Sequence, residues 1–363
     1  MMGTIKRIIR HLKMFMRSRS RKARQTPPFL VVFINSVCNL TCEHCFYWKN
    51  LNQRNDLEVE EFEKLSLELG NFEHLNLSGG EPFIHKQFAQ IVQFFIDNNG
   101  VKEVYVPTNA YFTERTEKQL RQLLKANTPE QLSLFVCEIS LDGTQAFHDE
   151  FRGNPKSFSK AMETYDMLAE LQKEDSRLQI HCISTATDTN MKEIWDLTEF
   201  LYERCPAMDH HNLAIIRGDR KDPSLQGPSL NQYEDLYQHI AKVWKAKEEE
   251  RYGSIVEPML QWGKLKVISE EKQSISCTAG NMTGVVYANG DVSLCEIHEP
   301  IGNLRDNTFF EIWDSKKANM LRAEIEAKKC HCTTEVFLWP SIVYQPIELM
   351  RAFFGIRNKW KNQ

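Results

Sequence analysis

Six short apolar runs alternate with amphipathic stretches through the first two thirds of the chain. The runs are FLVVFIN (29–35), HLNLSGG (74–80), VKEVYVPTN (101–109), LSLFVCEISLDG (132–143), LQIHCISTAT (178–187) and HNLAIIRG (211–218). Each is rich in β-branched or aromatic residues and ends in turn-forming ones, the pattern of a strand. The stretches between them, such as FAQIVQFFIDNNG and MKEIWDLTEFLYERC, space their apolar residues at i, i+3 and i+4 and predict helices. Strands alternating with helices build right-handed βαβ units on a parallel sheet. Six units predict an α/β fold of the partial (β/α)6 TIM-like barrel type. Periodicity alone leaves a flat doubly wound sheet equally open.

The pattern changes after residue 218. RGDRKDPSLQGPSLNQ (217–232) is polar and rich in Gly and Pro, so it reads as a linker or lid, and a long charged helix follows. TGVVYANGDVSLCE (283–296) then alternates around Asn289-Gly290, a strong hairpin signal. The expected organisation is a basic amphipathic N-terminal segment (1–28), a barrel core (29–218), a linker and helix (219–274), a second module (275–335) and a basic apolar tail (336–363). A formal net charge of −4 over 363 residues gives no global field for nucleic acid. No apolar run approaches the length of a spanning helix, and the N-terminus has no signal-peptide h-region. Ten cysteines without an export signal suggest a reducing cytosol.

Three of those cysteines lie together in VCNLTCEHCFYW (37–48), directly after the first predicted strand. In an α/β barrel that loop is at the mouth, where functional residues collect. A closed structural zinc site takes four protein ligands, whereas three thiolates leave a coordination position open. Taken alone, the triplet fits an incidental cluster, a partial zinc site or an iron–sulfur cubane with one free iron. Cys277, Cys295, Cys330 and Cys332 form a later set that suits zinc as well as iron. Cys137, Cys182 and Cys205 fall in apolar or helical contexts and read as ordinary buried thiols.

The triplet Cys38, Cys42 and Cys45 has the spacing C-x3-C-x2-C. SGGEP (78–82) ends the second run, Thr108-Asn109 the third, and ISLDGTQAFHDEFRGN (139–154) follows the fourth. Together these resemble the radical S-adenosylmethionine (SAM) superfamily, in its SPASM/twitch-containing branch, over roughly residues 30–335. The resemblance implies a [4Fe-4S] cluster on Cys38, Cys42 and Cys45 with exchangeable SAM on its open iron. It further implies that Gly79, Gly80 and Glu81 meet the SAM amino group, that Ser140 and Arg152 meet its carboxylate, and that Asn109 closes the third strand beside it. The position before the third cysteine, usually aromatic in the family, is His44 here. GNLRDNTFFEIWDS (302–315) is similar to a segment of the auxiliary modules. This implies a twitch-like C-terminal module in which Cys277, Cys295, Cys330 and Cys332 hold a second, auxiliary [4Fe-4S] cluster. The last pair is C-x-C and not the more usual C-x-x-C, so His331 and Glu335 stand as lesser candidates for the fourth ligand.

The chemistry so implied is reductive cleavage of SAM to a 5′-deoxyadenosyl radical that takes hydrogen from a substrate C–H bond. An electron donor such as flavodoxin or ferredoxin serves the first cluster, and the auxiliary cluster assists electron transfer. The expected substrate is a small molecule, glycan or lipid-linked compound. The alternative is a peptide or protein maturase, RiPP-type or sulfatase-maturase-like; the short basic segment before the barrel counts against it. A zinc-stabilised binding module has no use for SGGEP or SLDG.

No catalytic acid or base is legible. His210 and His211 stand at the start of the sixth run, the wrong end of a barrel for catalysis, and read as structural or exposed. Arg217 ends it at the mouth, open between substrate, SAM and a salt bridge, and Asp142 reads as a turn cap. Residues 1–25 contain no acid and repeat Ile5, Ile8, Ile9, Leu12 and Phe15 at helical spacing, and IELMRAFFGIRNKWKNQ (347–363) is also apolar and basic. Such ends suit peripheral contact with the inner membrane face; a disordered tail and a packing helix fit them equally.

Overall fold

A computed structural model describes the backbone of residues 2–19, 21–248 and 253–359, with side chains for 9–19, 21–247 and 256–356. Ile5 and Ile8 of the N-terminal stripe and the last residues of the C-terminal tail lie outside the described side chains. In chain order the elements are α1 (Met2–Arg19), β1 (Phe29–Asn35), α2 (Val59–Glu68), β2 (His74–Gly79), α3 (Phe88–Asn99), β3 (Glu103–Thr108), α4 (Thr113–Ala126) and β4 (Leu134–Ser140). Next come α5 (Gln145–Phe151), α6 (Ser157–Glu174), β5 (Leu178–Ala186), α7 (Met191–Arg204), β6 (His210–Ile215), α8 (Leu230–Glu248) and α9 (Gly253–Glu270). Then follow β7 (Thr283–Val286), β8 (Asp291–Ser293), β9 (Gly302–Asn303), α10 (Phe309–Trp313), α11 (Lys316–Glu326), α12 (Glu335–Val343) and α13 (Pro346–Lys359). The chain divides into two compact units, residues 30–249 with 286–291, and residues 1–29, 250–285 and 292–363.

In the first unit the strands run β6-β5-β4-β3-β2-β1, with β2 through β6 parallel. Successive side chains of a strand point to opposite faces. The register therefore sorts them into two sets. Leu75, Val104, Val106, Phe135, Cys137, Ile139, Ile180, Cys182 and Leu213 share one face and are at most 2 % exposed. That face is covered by helices, and it holds two of the cysteines expected to be inert. The opposite face carries Tyr105, Glu138, Ser140, His181 and Asn212, all half-buried. β6 stands at an edge, so the sheet is a partial barrel whose inner face is polar.

The polar stretch after β6 is tied down at both ends. Lys221 Nζ donates to the Thr41 carbonyl (2.8 Å) and Asp222 N to the Glu43 carbonyl (2.9 Å). Asp188 N donates to the Gln226 carbonyl (2.9 Å), and Gln226 N donates back to Asp188 Oδ1 (3.0 Å). It covers the loop after β1 and does not simply link two modules. α8 then packs back on the unit: Tyr233 Oη donates to the Leu213 carbonyl (2.9 Å), and Trp244 is fully buried edge-on to His211.

The second unit gathers both ends of the chain. Met14 of α1 packs with Phe29, Val256, Met282, Val343 and Tyr344. Arg21 pairs with Asp314, and Arg322 lies over the Trp313 ring while its Nε and Nη2 donate to the Gly280 and Trp313 carbonyls. β7, β8 and β9 are neighbours in that order, and Asn289 and Gly290, the latter at φ 88°, sit in the turn between the first two. Among the described residues no helix is long and apolar enough to cross a membrane.

Candidate functional site

The loop after β1 is held from three sides. Below it, β2 ends in Gly79 and Gly80 follows, and the next amides reach upward: Gly80 N donates to the Asn35 carbonyl (2.9 Å) and Glu81 N to the Val37 carbonyl (2.8 Å). A Cβ on either glycine would land on a loop carbonyl, Asn35 O for Gly79 and Val37 O for Gly80, and Gly79 sits at φ +129°. The glycine pair is thus required by the close approach of two backbones. Beside the loop, Thr41 N and Glu43 N donate to the carbonyls of Arg152 and Phe151 at the end of α5. Above it lie Lys221 and Asp222. Cys38, Cys42 and Cys45 are all half-buried on this loop.

Burial raises the three thiols, Cys38 to about 12, Cys45 to about 11 and Cys42 likewise upward. Without metal they are protonated at neutral pH, so each must lose a proton on ligation. Donors already face the sulfurs. Leu40 N and Asn109 Nδ2 point at Cys38 Sγ, and Arg152 Nη1 lies 4.0 Å from Cys42 Sγ.

The Glu81 carboxylate is fully buried and accepts from Phe83 N (3.1 Å), Thr108 Oγ1 (2.8 Å) and Asn109 N (2.7 Å). Burial pushes its pKa up to about 7, against those hydrogen bonds, which pull it down. A carboxylate offers about four lone-pair sites, so three are used and one remains for a further donor. Asn109 in turn bonds Asn39 Oδ1 through Nδ2 (2.9 Å). Glu81 therefore locks the ends of β2 and β3 together, a role the sequence reading did not give it.

Arg152 and Asp142 form a buried pair at the end of β4. Asp142 Oδ2 accepts from Arg152 Nε (2.8 Å) and Nη2 (2.6 Å), and Oδ1 accepts from Thr185 N (2.9 Å). Burial alone would raise the Asp142 carboxyl, but the guanidinium beside it wins and holds it below the usual carboxylate range. Asp142 is no mere turn cap: it fixes the arginine that the family resemblance assigns to the SAM carboxylate. It leaves Nη1 of that arginine directed at Cys42. His44 Nε2 stands 3.9 Å from Asp142, and its ring stacks on Phe151 at 4.9 Å and 11°. The imidazole therefore fills a flat aromatic position. Burial pushes its pKa down to about 4.

The register also revises the reading of the sixth strand. His210 is the first residue of β6, yet it pairs with His181, which pairs with Glu138, two residues below Ser140. It lies partway up the inner face and not at the closed end of the barrel. Asn212 Nδ2 donates to Glu138 Oε1 (2.7 Å), and the His181 and His210 rings meet edge to face at 5.6 Å. This carboxylate, amide and two imidazoles went unnoticed in the sequence because they are spread over strands seventy residues apart. Only alternation within β4, β5 and β6 hinted at them. His211 points the other way, buried against Ser184 Oγ (2.8 Å), and is structural as expected. Arg217 lies over the Phe46 ring at 4.6 Å.

In the second unit Cys277, Cys295, Cys330 and Cys332 line one cavity with His331, walled by Val267, Ile275, Ile297, Phe337 and Leu338. Burial raises the thiols of Cys277, Cys295 and Cys330, that of Cys295 to about 12. Glu335 is not part of the wall. Its Oε1 meets the fully buried Lys264 Nζ at 2.5 Å. Among the described residues no three His, Cys, Asp or Glu side chains converge on one metal-ion position. Ligands of a single zinc ion must meet it at about 2.3 Å, whereas a cubane keeps its thiolates apart by the width of the cluster. Four thiols lining one apolar cavity, and three on one loop, are donor sets that a [4Fe-4S] cluster accepts.

Comparison with known proteins gives the following. The profile of the radical SAM superfamily matches residues 32–201, and that of SPASM, an iron–sulfur cluster-binding domain, matches residues 277–333. The chain is 22% identical over 316 residues to the sporulation killing factor maturation protein SkfB of Bacillus subtilis, covering 84% of this chain and 68% of that one. It is 26% identical over 316 residues to the Fe-coproporphyrin III synthase of Methanosarcina barkeri, covering 80% and 74%. The fold is similar to that of Streptococcus suis SuiB bound to its precursor peptide SuiA, with a TM-score of 0.60, 16% identity, and 88% of this chain and 72% of that one covered.

Proposed function

The chain belongs to the radical SAM superfamily and carries a SPASM-type auxiliary domain, and from that premise we propose that it modifies a peptide or protein at a C–H bond. The observation that carries the substrate class is the likeness along most of the chain to a maturation protein and to a protein solved with a precursor peptide bound. This reverses the order in which the sequence ranked its substrates. The short segment before the barrel is no argument against a peptide, because recognition can use the barrel face itself.

In this reading Cys38, Cys42 and Cys45 hold a [4Fe-4S] cluster, and Cys277, Cys295, Cys330 and Cys332 an auxiliary one. With SAM held there, that cluster would supply, once reduced by a flavodoxin or ferredoxin, radical chemistry able to take hydrogen from carbon. The residues of the chain position and shield that chemistry. Glu81 offers its one remaining acceptor site to the SAM ammonium, a charge-assisted hydrogen bond. Gly79 and Gly80 let the β2 end lie close under the cysteine loop. Asp142 holds Arg152 beside Cys42, and Ser140, the last residue of β4, is the second candidate for the SAM carboxylate. Asn109 steadies Cys38. The stretch pinned over residues 41–43 by Lys221 and Asp222 closes one side of the loop. Glu138, set by Asn212, is the candidate to meet a hydrogen-bond donor or cation on the substrate.

The test is anaerobic. Reconstituted protein with dithionite should release 5′-deoxyadenosine and methionine from SAM. A peptide encoded beside the gene should raise that rate and lose hydrogen by mass spectrometry. A tetrapyrrole that stimulates cleavage where no peptide does would favour the second reading, prompted by the likeness to Fe-coproporphyrin III synthase.

A further inference from the structure

Two helices of the second unit present apolar faces to solvent. On α1, Ile9, Leu12 and Met16 are 47–59 % exposed, while Met14 and Ser18 are buried. Residues advance about 100° each around a helix, so the three exposed residues share one arc, opposite Met14 and Ser18. Lys13 and Arg19, both exposed, fall on the two flanks of that arc. On α13, Ile347, Met350, Phe353 and Phe354 are 43–65 % exposed, again on one arc, while Ala352 and Glu348 are buried.

Charge identifies what covers them. Residues 1–25 contain nine Lys and Arg and no acid, in a chain whose net charge is −4, so the remainder is strongly acidic. The single acid of α13, Glu348, is buried and paired with Arg351 at 2.7 Å. Neither helix therefore shows a carboxylate among its exposed described side chains. The helices also join at one place: the His11 ring lies 5.1 Å from that of Tyr344, two residues before α13 begins, and Ser18 Oγ reaches the Tyr344 carbonyl. An apolar arc flanked by cations, with no exposed acid, matches the headgroup boundary of an anionic bilayer. A partner of ordinary protein surface would meet these arcs with carboxylates and cations mixed, and nothing on either helix answers its cations.

We propose that α1 and α13 together dock the protein on an anionic lipid surface, with Ile9, Leu12, Met16, Ile347, Met350, Phe353 and Phe354 entering the interface and Lys13 and Arg19 lying at the headgroups. The proposal is independent of the substrate. The full-length protein is sedimented with vesicles of phosphatidylcholine mixed with phosphatidylserine, and with phosphatidylcholine alone. It pellets with the mixed vesicles at low salt, is released as salt rises through screening, and stays in the supernatant with the neutral ones. Leu12→Asp with Met16→Asp, Phe353→Ser with Phe354→Ser, and Lys13→Glu with Arg19→Glu each lower partitioning at least tenfold. Because all six positions are exposed, the thermal midpoint of each variant stays that of the parent, which separates lost docking from lost folding. Equal binding to neutral vesicles, no binding to either, or parent-like binding by all three folded variants overturns the proposal. So does a lipid-free dimer that the same substitutions dissolve, since the arcs then face a second copy.

Discussion

Replacing Asp142 by Asn tests whether the pair at the end of β4 organises the cysteine loop. The carboxylate is fully buried, Arg152 is 6 % exposed, and two of the three hydrogen bonds to Asp142 come from that guanidinium. Asn keeps one acceptor, which Thr185 N can still use, but turns an NH2 group toward a buried cation. Removing one partner of a buried ion pair costs about 3–5 kcal/mol, because the other charge is left uncompensated. Arg121 with Glu174, at 2.6 Å on the surface, is the control: both side chains are about half exposed, and its removal should leave the denaturation midpoint unchanged. The assay is urea denaturation of parent and variants prepared identically. Asp142→Asn should lose about 3 kcal/mol or more, and adding Arg152→Gln should restore part of it, a coupling of at least about 1 kcal/mol. Since Arg152 and Phe151 carbonyls hold Thr41 and Glu43, iron retained on the first cluster should fall as well. A loss below about 1 kcal/mol, or strict additivity of the two substitutions, would refute the account of this pair.

Other outcomes follow from the same geometry. Reconstituted protein should carry about eight irons, and Cys38→Ala with Cys42→Ala and Cys45→Ala about half, with zinc at the later site as the contrary result. Gly80→Ala drives a methyl into the Val37 carbonyl and should cost about 1–3 kcal/mol, together with the first cluster but not the second, read by iron content and Mössbauer spectra. Burial pushes His211 down to about 3 from 6.5, so it stays neutral when folded while the unfolded chain takes up a proton. The contribution of His211 to stability is therefore full above pH 6.5 and falls below it by about 1.4 kcal/mol per pH unit. His211→Asn should be less stable at pH 7.5 yet lose less between pH 6.5 and 5.5, and an equal loss counts against the buried neutral imidazole. Glu138→Gln should leave uncoupled SAM cleavage intact while abolishing stimulation by substrate; unchanged stimulation removes Glu138 from the substrate site.

The sequence by itself determined the strands and the loops on which the candidate cluster cysteines stand. Each apolar run became a strand within a few residues of its bounds, FLVVFIN as β1 from Phe29 to Asn35, because a buried parallel strand must be apolar along its length and its helices amphipathic. The cysteine triplet, SGGEP and SLDG were legible because they are contiguous, and chemistry that depends on one loop is written in one loop. Tertiary structure decided what depends on residues distant in the chain. The pairing of Asp142 with Arg152 joins a strand end to a helix end, and Glu81 to Thr108 and Asn109 joins two strands. The level of His210 on the inner face depends on the register of β5 against β6, which no local pattern encodes. α9 was missed because its apolar residues circle the helix almost evenly, with Pro258 inside it, so no stripe marks it. The exposed arc of α13 looks in sequence like any packing helix; which of its sides meets solvent is settled by the neighbours that bury Ala352 and Glu348 on the other.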